Sequence, residues 1–395
     1  MNQIPSDHLI PLPPAPAAPA KRKKAVRKLV PVPPDAPEQL AFYQSLFGTP
    51  TGTGYTFALW EAVPKFVLTK LRYHKQANVF ETSFVWSDMT IPVEIMPALI
   101  RRNAASTVLE AVFPGSREEL VWRILIEIAA EQSMPQLYEA KVDKLRYGRV
   151  DFTLTGLRDR LAARGKSYNT GELREALVVL KRAECHVKHP NIPDSYDNYL
   201  TSLYFAGEQI ADEGEVLTHC VAFLNPVVTS SILSLQCWPI DNAKVCKLDQ
   251  SLARWLATRI SNRYRQAEQG EAQEGKGYPL LLSTIIREAC LMASEKTQLR
   301  DQAVRVRDAL KELDSAGYLS SFPRPYDEAP VYARVNRVGR TSLVDIKWTI
   351  YLSGRFVNEI VSGNKEMMQR RGDQKQQIHA TSSPARGVAR DRPLL

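Results

Sequence analysis

Cys185, His186 and His189 stand close enough along the chain to suggest a metal centre. A structural zinc site closes on a second pair of ligands, and the sequence supplies none beside these three, so no metal is expected. The stretch Gly270 to Gly277, GEAQEGKG, fits the start of a phosphate-binding GxxxxGK loop. A working loop continues with a serine or threonine that holds magnesium, and follows a strand that aims its amides at the phosphates. Here Gly277 stands next, a helix-like RISNRYRQAEQ precedes, and Glu271 and Glu274 repel phosphate. It reads as a connector, and no cofactor is expected. The other histidines, His8, His74, His219 and His379, form no HxH pair, and GxSxG, HExxH and clustered DxD patterns are absent. With 15 tyrosines and no metal beside any of them, none is singled out as a nucleophile. The chain reads as a binder and not as an enzyme.

What remains is charge. A formal net charge of +9 and a pI near 9.2 favour a polyanionic partner. The helical stretch Thr297 to Asp314 has Leu299, Ala303, Val306, Leu310 and Leu313 as its apolar stripe, with Gln298, Arg300, Gln302, Arg305 and Arg307 on or beside the outer face. Arginine and glutamine on such a face reach guanine and adenine edges in a major groove. A loop carrying Arg334, Arg337 and Arg340 follows and would form a wing.

These side chains need a frame, and the clearest one is Val150 to Val187. A β-like run ends at Thr155, read as the cap of a helix with Leu157, Leu161 and Ala162 on one face. A turn with Gly165, Lys166, Ser167 and Tyr168 leads to a second cap, Thr170, and to a helix whose Leu173, Leu177 and Leu180 share a face. Two short helices joined by a glycine-containing turn read as helix-turn-helix. Strands are expected at Cys185 to Val187 and within Tyr199 to Leu224, which makes the unit a winged helix whose second helix would enter the groove.

Residues 1–38 are proline- and alanine-rich around a basic knot, Lys21, Arg22, Lys23, Lys24, Arg27 and Lys28, and read as an extended arm. A hairpin, Val79 to Trp86 and Thr90 to Ile95, is expected to pack against the first winged helix. Ser116 caps a strong helix with Leu120, Ile124, Leu125 and Ile128 buried. Asn225 and Pro226 start a short helix over VVTSSILSL. The second half then repeats the first: ELVWRIL answers to SLARWLATRI, RVDFTLTGLRDRLA to GYPLLLSTIIREACLM with Ser283 in the capping place, and REALVVL to RDALKEL, at offsets of about 128 to 133 residues. Strands at Tyr318 to Phe322 and Val344 to Tyr351 and a helix at Gly354 to Ser362 close the second copy, and residues 363–395 read as a disordered basic tail.

The expected organisation is thus an arm (1–38), an N-terminal region with the first winged helix (39–224), a second winged helix (225–362) and a tail (363–395). The fold class is α+β, two tandem winged-helix domains between disordered tails. Five scattered cysteines suit a reducing cytoplasm, and no apolar run approaches the roughly 20 residues of a bilayer span. A soluble, cytoplasmic protein with no membrane partner is expected.

Through EELVWRIL, TLTGLRDRLA…SYNTGELREALVVLKRA, FLNPVVTSSI and RDALKEL, the chain resembles the TrfA-like and RepC-like replication initiators of theta-replicating plasmids over roughly Phe80 to Ser362. The resemblance implies binding of double-stranded DNA at repeated origin sequences (iterons), opening of adjacent AT-rich DNA, and recruitment of the host's DnaA and helicase. It also implies that a homodimer exchanges with a DNA-binding monomer. Carried onto this chain, the DNA-contacting positions are Lys166, Ser167, Tyr168, Asn169, Thr170 and Arg174 in the first module and Lys296, Thr297, Gln298, Arg300, Arg305 and Arg307 in the second. A transcriptional regulator using the same two modules is the alternative, and a protein–protein scaffold is a third.

Overall fold

A computed structural model describes residues 29–31, 53–68, 73–74, 79–86, 89–101, 108–132, 137–140, 146–188, 195–210, 216–233, 237–263, 277–291, 296–321, 324–334, 341–365 and 369. The chain is mixed α and β, with helices packed on several antiparallel sheets. Its N-terminal region runs β1 (Leu29–Pro31), β2 (Thr53–Phe57), α1 (Ala58–Ala62), β3 (Tyr73–His74), β4 (Phe80–Trp86), β5 (Met89–Met96), β6 (Ala98–Ile100) and β7 (Glu110–Val112). β4 and β5 form the expected hairpin, and Ile91, Val93 and Ile95 bury alternate positions of β5 as the strand period requires.

The first repeated unit runs α2 (Ser116–Glu131), β8 (Leu137–Ala140), β9 (Arg146–Thr153), α3 (Leu154–Ala162), α4 (Thr170–Arg182), β10 (Glu184–Val187), β11 (Ser195–Asn198), β12 (Leu200–Ile210) and β13 (Val216–Leu224). Leu120, Ile124, Leu125 and Ile128 of α2 pack with Leu157 and Leu161 of α3 and Leu173, Leu177 and Leu180 of α4 in one core. β13 lies between β9 and β12 in the sheet order β1-β8-β9-β13-β12. β10 leaves that sheet and pairs with β5, which docks the hairpin on this unit as expected.

Then come α5 (Pro226–Leu233), β14 (Cys237–Asp241), α6 (Asn242–Lys247) and the second unit: α7 (Ser251–Arg263), β15 (Gly277–Leu281), α8 (Leu282–Glu288), α9 (Lys296–Ser315), β16 (Tyr326–Arg334) and β17 (Thr341–Tyr351). A closing helix, α10, covers residues 354–365. Leu252, Leu256, Ile285, Val306, Leu310, Leu313, Trp348 and Ile350 form a second core. The sheet order is β15-β17-β16, so the last strand is again central.

The two units match residue by residue along their ladders. Thr153 pairs with His219 at the end of β9, and Leu281 pairs with Lys347 at the end of β15, each residue 128 positions from its counterpart. The next residues, Leu154 and Leu282, both open a helix. The turn after that helix matches too. Lys166 N–H donates to Leu161 C=O in one unit and Leu291 N–H to Ile286 C=O in the other. Both turns pass through a left-handed residue, Gly165 at φ 74° and Cys290 at φ 50°.

Several expectations shift. Thr153, not Thr155, caps α3, because its hydroxyl accepts from Gly156 N–H. Asn169, not Thr170, caps α4 in a reciprocal box with Glu172. Gly115 holds the cap position of α2, its N–H donating to Glu118, and Ser116 instead accepts from Arg254. Ser283 does not cap α8; its N–H and hydroxyl donate to Asp345 of β17. The first wing strand of the second unit is Tyr326–Arg334 rather than Tyr318 to Phe322, where Leu319 makes only an isolated bridge to Leu352. Leu29–Pro31 of the expected arm pair with Tyr138–Ala140, and the last helix continues to residue 365, into the expected tail. The rest of the arm, most of the tail and Gly270 to Lys276 lie outside the described residues. The expected boundary at residue 225 is no break in packing, since Val228, Cys246 and Cys290 belong to the first core.

Candidate nucleic-acid interface

The third helix of each unit, α4 or α9, presents the side chains in question, and the sheet beside it decides what they do. In the first unit the Asn169–Glu172 box fixes where α4 begins, at about 2.8–2.9 Å per bond. Ser167, Asn169, Thr170, Gly171 and Arg174 are exposed at that end. The Arg174 guanidinium lies 4.5 Å over the ring of Phe205 on β12, a cation–π contact made with its flat face. The neighbouring Glu175 is engaged elsewhere, accepting from Arg117 at 2.6 Å. Tyr168 is half-buried against the first core, and burial raises its hydroxyl above the usual range.

Lys166 departs from its expected role as a DNA contact. Its ammonium donates to the Asp249 carboxylate and the Lys247 carbonyl, and its side chain is only 10% exposed. It ties the first unit's turn to the loop before α7.

In the second unit, α9 is 20 residues long against 13 for α4. The side chains of Lys296, Thr297 and Gln298 lie outside the described residues, and Arg300 is exposed. Gln302 is buried, which removes it from the expected outer face. Arg305 also turns inward. It donates to Gln302 Oε1 at 3.0 Å and to the Leu68 carbonyl at 2.8 Å, and burial lowers its pKa. The guanidinium that was expected on the outer face is thus engaged within the fold. Arg307 donates Nε and Nη2 to the two oxygens of Glu328 on β16, both at 2.8 Å, and the hydrogen bond to Glu328 raises its pKa. The outward face of α9 mixes signs, with Arg300, Asp301, Asp308 and Lys311 all exposed. Arg334 ends β16 with its side chain outside the described residues, as are Arg337 and Arg340 altogether.

The sequence reading missed Phe205 and Glu328. Phe205 pairs across the ladder with Cys220 and Glu328 with Trp348, and Cys220 and Trp348 are themselves 128 positions apart on the central strands. Arg174 and Arg307 open the matched segments REALVVL and RDALKEL. The same helix position therefore meets the same strand position in both units, once as arginine on an aromatic face and once as an arginine–carboxylate fork.

A polar stripe on α2 joins the units. Glu119 accepts from Arg254 at 3.1 Å and from Arg123 at 3.0 Å, and Arg123 reaches Thr258 at 2.7 Å. Glu127 accepts from Asn242 at 3.0 Å and pairs with Arg160 of α3 and Arg164 of the turn after it. Burial alone would raise the Glu119 carboxyl, but Arg254 and Arg123 outweigh it and hold the group below the usual carboxylate range. Beside the stripe lies a cleft of about 510 Å³, lined among others by Lys65, Arg123, Trp255, Arg259, Tyr278 and Glu288. Its charges are already matched, Lys65 to Glu61, Arg123 to Glu119 and Arg259 to Glu288, so it does not favour an anionic ligand.

Among the described residues no group of three or more His, Cys, Asp or Glu side chains is placed to hold a metal ion, and no helix is long and apolar enough to cross a membrane. No protein-family model matches the chain, and no curated protein or solved structure matches it.

Proposed function

We propose that the chain is a plasmid replication initiator that binds repeated origin sequences in duplex DNA through two winged-helix domains, helps open the origin, and recruits host replication proteins such as DnaA and helicase. The observation that carries the reading is that α2, β9, α3, α4, β12 and β13 are answered in the same order by α7, β15, α8, α9, β16 and β17, with the last strand central and in matching register, the first unit carrying β8, β10 and β11 besides. That order is the one expected of a winged helix, whose recognition helix would lie in a major groove with the strand hairpin beside it. The exposed opening of α4 with Arg174 suits such a groove, and the net charge of +9 supplies attraction to phosphate. The buried seam along α2 supports joint action by the two units. The resemblance to TrfA-like and RepC-like initiators adds the origin repeats and the host partners.

Mobility shift tests the reading, using DNA flanking the protein's own gene against scrambled DNA of equal length across a salt series. An initiator gives a ladder of discrete complexes that counts the repeats and persists at moderate salt. A single complex at a promoter-proximal site favours a transcriptional regulator. Equal binding to both DNAs, lost steeply with salt, removes sequence reading altogether.

A further inference from the structure

The same station in the two units holds opposite chemistry. The exposed Arg174 side chain lays its flat face on Phe205, and among the described residues no carboxylate pairs with its N–H edges. The Arg307 side chain has the edge formed by Nε and Nη2 filled by both oxygens of Glu328. That edge is one of the two with which arginine grips a phosphate, because carboxylate and phosphate present the same pair of acceptor oxygens to the guanidinium fork.

We propose that Glu328 competes intramolecularly for the site on Arg307 that a DNA phosphate would occupy, so that the first unit contributes more of the electrostatic affinity for duplex DNA than the second. The inference rests on the duplex-DNA reading above. Glu328 is 27% exposed and Arg307 40% exposed, so the fork stands in water and is displaceable. A phosphate arriving at Arg307 must break two hydrogen bonds and stand beside the displaced carboxylate, whereas a phosphate arriving at Arg174 meets no such group among the described side chains. The competition weakens binding to every sequence alike, as a phosphate contact does, and carries no base preference.

The experiment uses the full chain with Glu328→Gln, Arg307→Ala, Arg174→Ala and the double variant E328Q/R307A, on random duplex DNA and on the gene-flanking duplex across a salt series. Circular dichroism and thermal melting confirm that each variant keeps the fold, and Glu328→Ala serves as a second removal of the carboxylate. E328Q is expected to tighten binding to both duplexes roughly three-fold at about 0.1 M salt, and to steepen the salt dependence by about 0.9 in the log–log slope, the value of one further phosphate contact. R307A should cost little in the wild-type background and cancel the gain in the E328Q background, while R174A costs its full contact in both. Unchanged or weaker binding by both E328Q and E328A overturns the proposal, as does an equal cost of R307A in both backgrounds. A wild-type chain that binds neither duplex overturns the DNA reading itself, and this inference with it.

Discussion

In the first unit the third helix brings Arg174 face-on to Phe205, and in the second it brings Arg307 edge-on to Glu328. The helix positions correspond, the strand positions correspond, and the central strands carry the same register in both units. A shared scaffold therefore fixes where an arginine stands without fixing what it is free to do. The partner across the sheet decides that, and it differs by one residue type. The longer α9 carries Arg300, Asp301, Asp308 and Lys311 on its outward face, so there too acidic residues stand beside the basic ones.

The comparison holds only if the units act from one rigid body, and the seam is where it breaks most easily. Arg254→Met removes one of the two arginine partners of a carboxylate that is itself nearly inaccessible, and is expected to cost about 3 kcal/mol in urea denaturation. A cost under about 1 kcal/mol would show that the seam contributes little. The same pair has an acid signature. The folded-state pKa of Glu119 lies below its ordinary value, so its stabilisation is present above about pH 4.3, the ordinary glutamate value, and lost as pH falls through the lower folded value. Glu288 has the opposite sign, because burial raises its carboxyl despite Arg259 and Arg287. Its ionisation opposes folding as pH rises from the ordinary glutamate value through the raised one. Denaturation of Glu119→Gln and Glu288→Gln across pH 3–7 should flatten these two limbs separately.

Arg305 sharpens the comparison from the other side. Because it bonds the Leu68 carbonyl and Gln302, Arg305→Ala is expected to cost about 1.5 kcal/mol of stability and to leave DNA affinity within two-fold. A selective loss of DNA binding with unchanged stability would return Arg305 to the interface. The smallest effect concerns the matched turns. Gly165 sits at φ 74° with open space around it, so Gly165→Ala meets backbone strain alone and should cost about 1 kcal/mol by thermal melting. The second unit already tolerates that strain at Cys290, where φ is 50°.

The apolar stripes of α2, α4 and α9 and the repeat offset were legible because periodicity survives in a single sequence. Helix starts were displaced by one or two residues where several oxygen-bearing side chains stand together, as at Thr153 and Thr155 or Asn169 and Thr170. The strand Tyr326–Arg334 escaped because YDEAPVYAR carries charge and a proline where alternation should show. Arg305 looked outward because its acceptor, the Leu68 carbonyl, is 237 residues away. Glu328 was silent for a related reason: a carboxylate on an exposed strand gives no sign of which arginine it will meet until the sheet is assembled beside α9.

Hydroxyl-radical footprinting on the gene-flanking duplex tests the central claim most directly. Two units held in one body and reading DNA with their third helices should protect two segments in each repeat. Arg174→Ala should erase one of them at a protein concentration where Arg307→Ala leaves both. A single protected segment per bound chain, or protection that follows no repeat, would contradict the account.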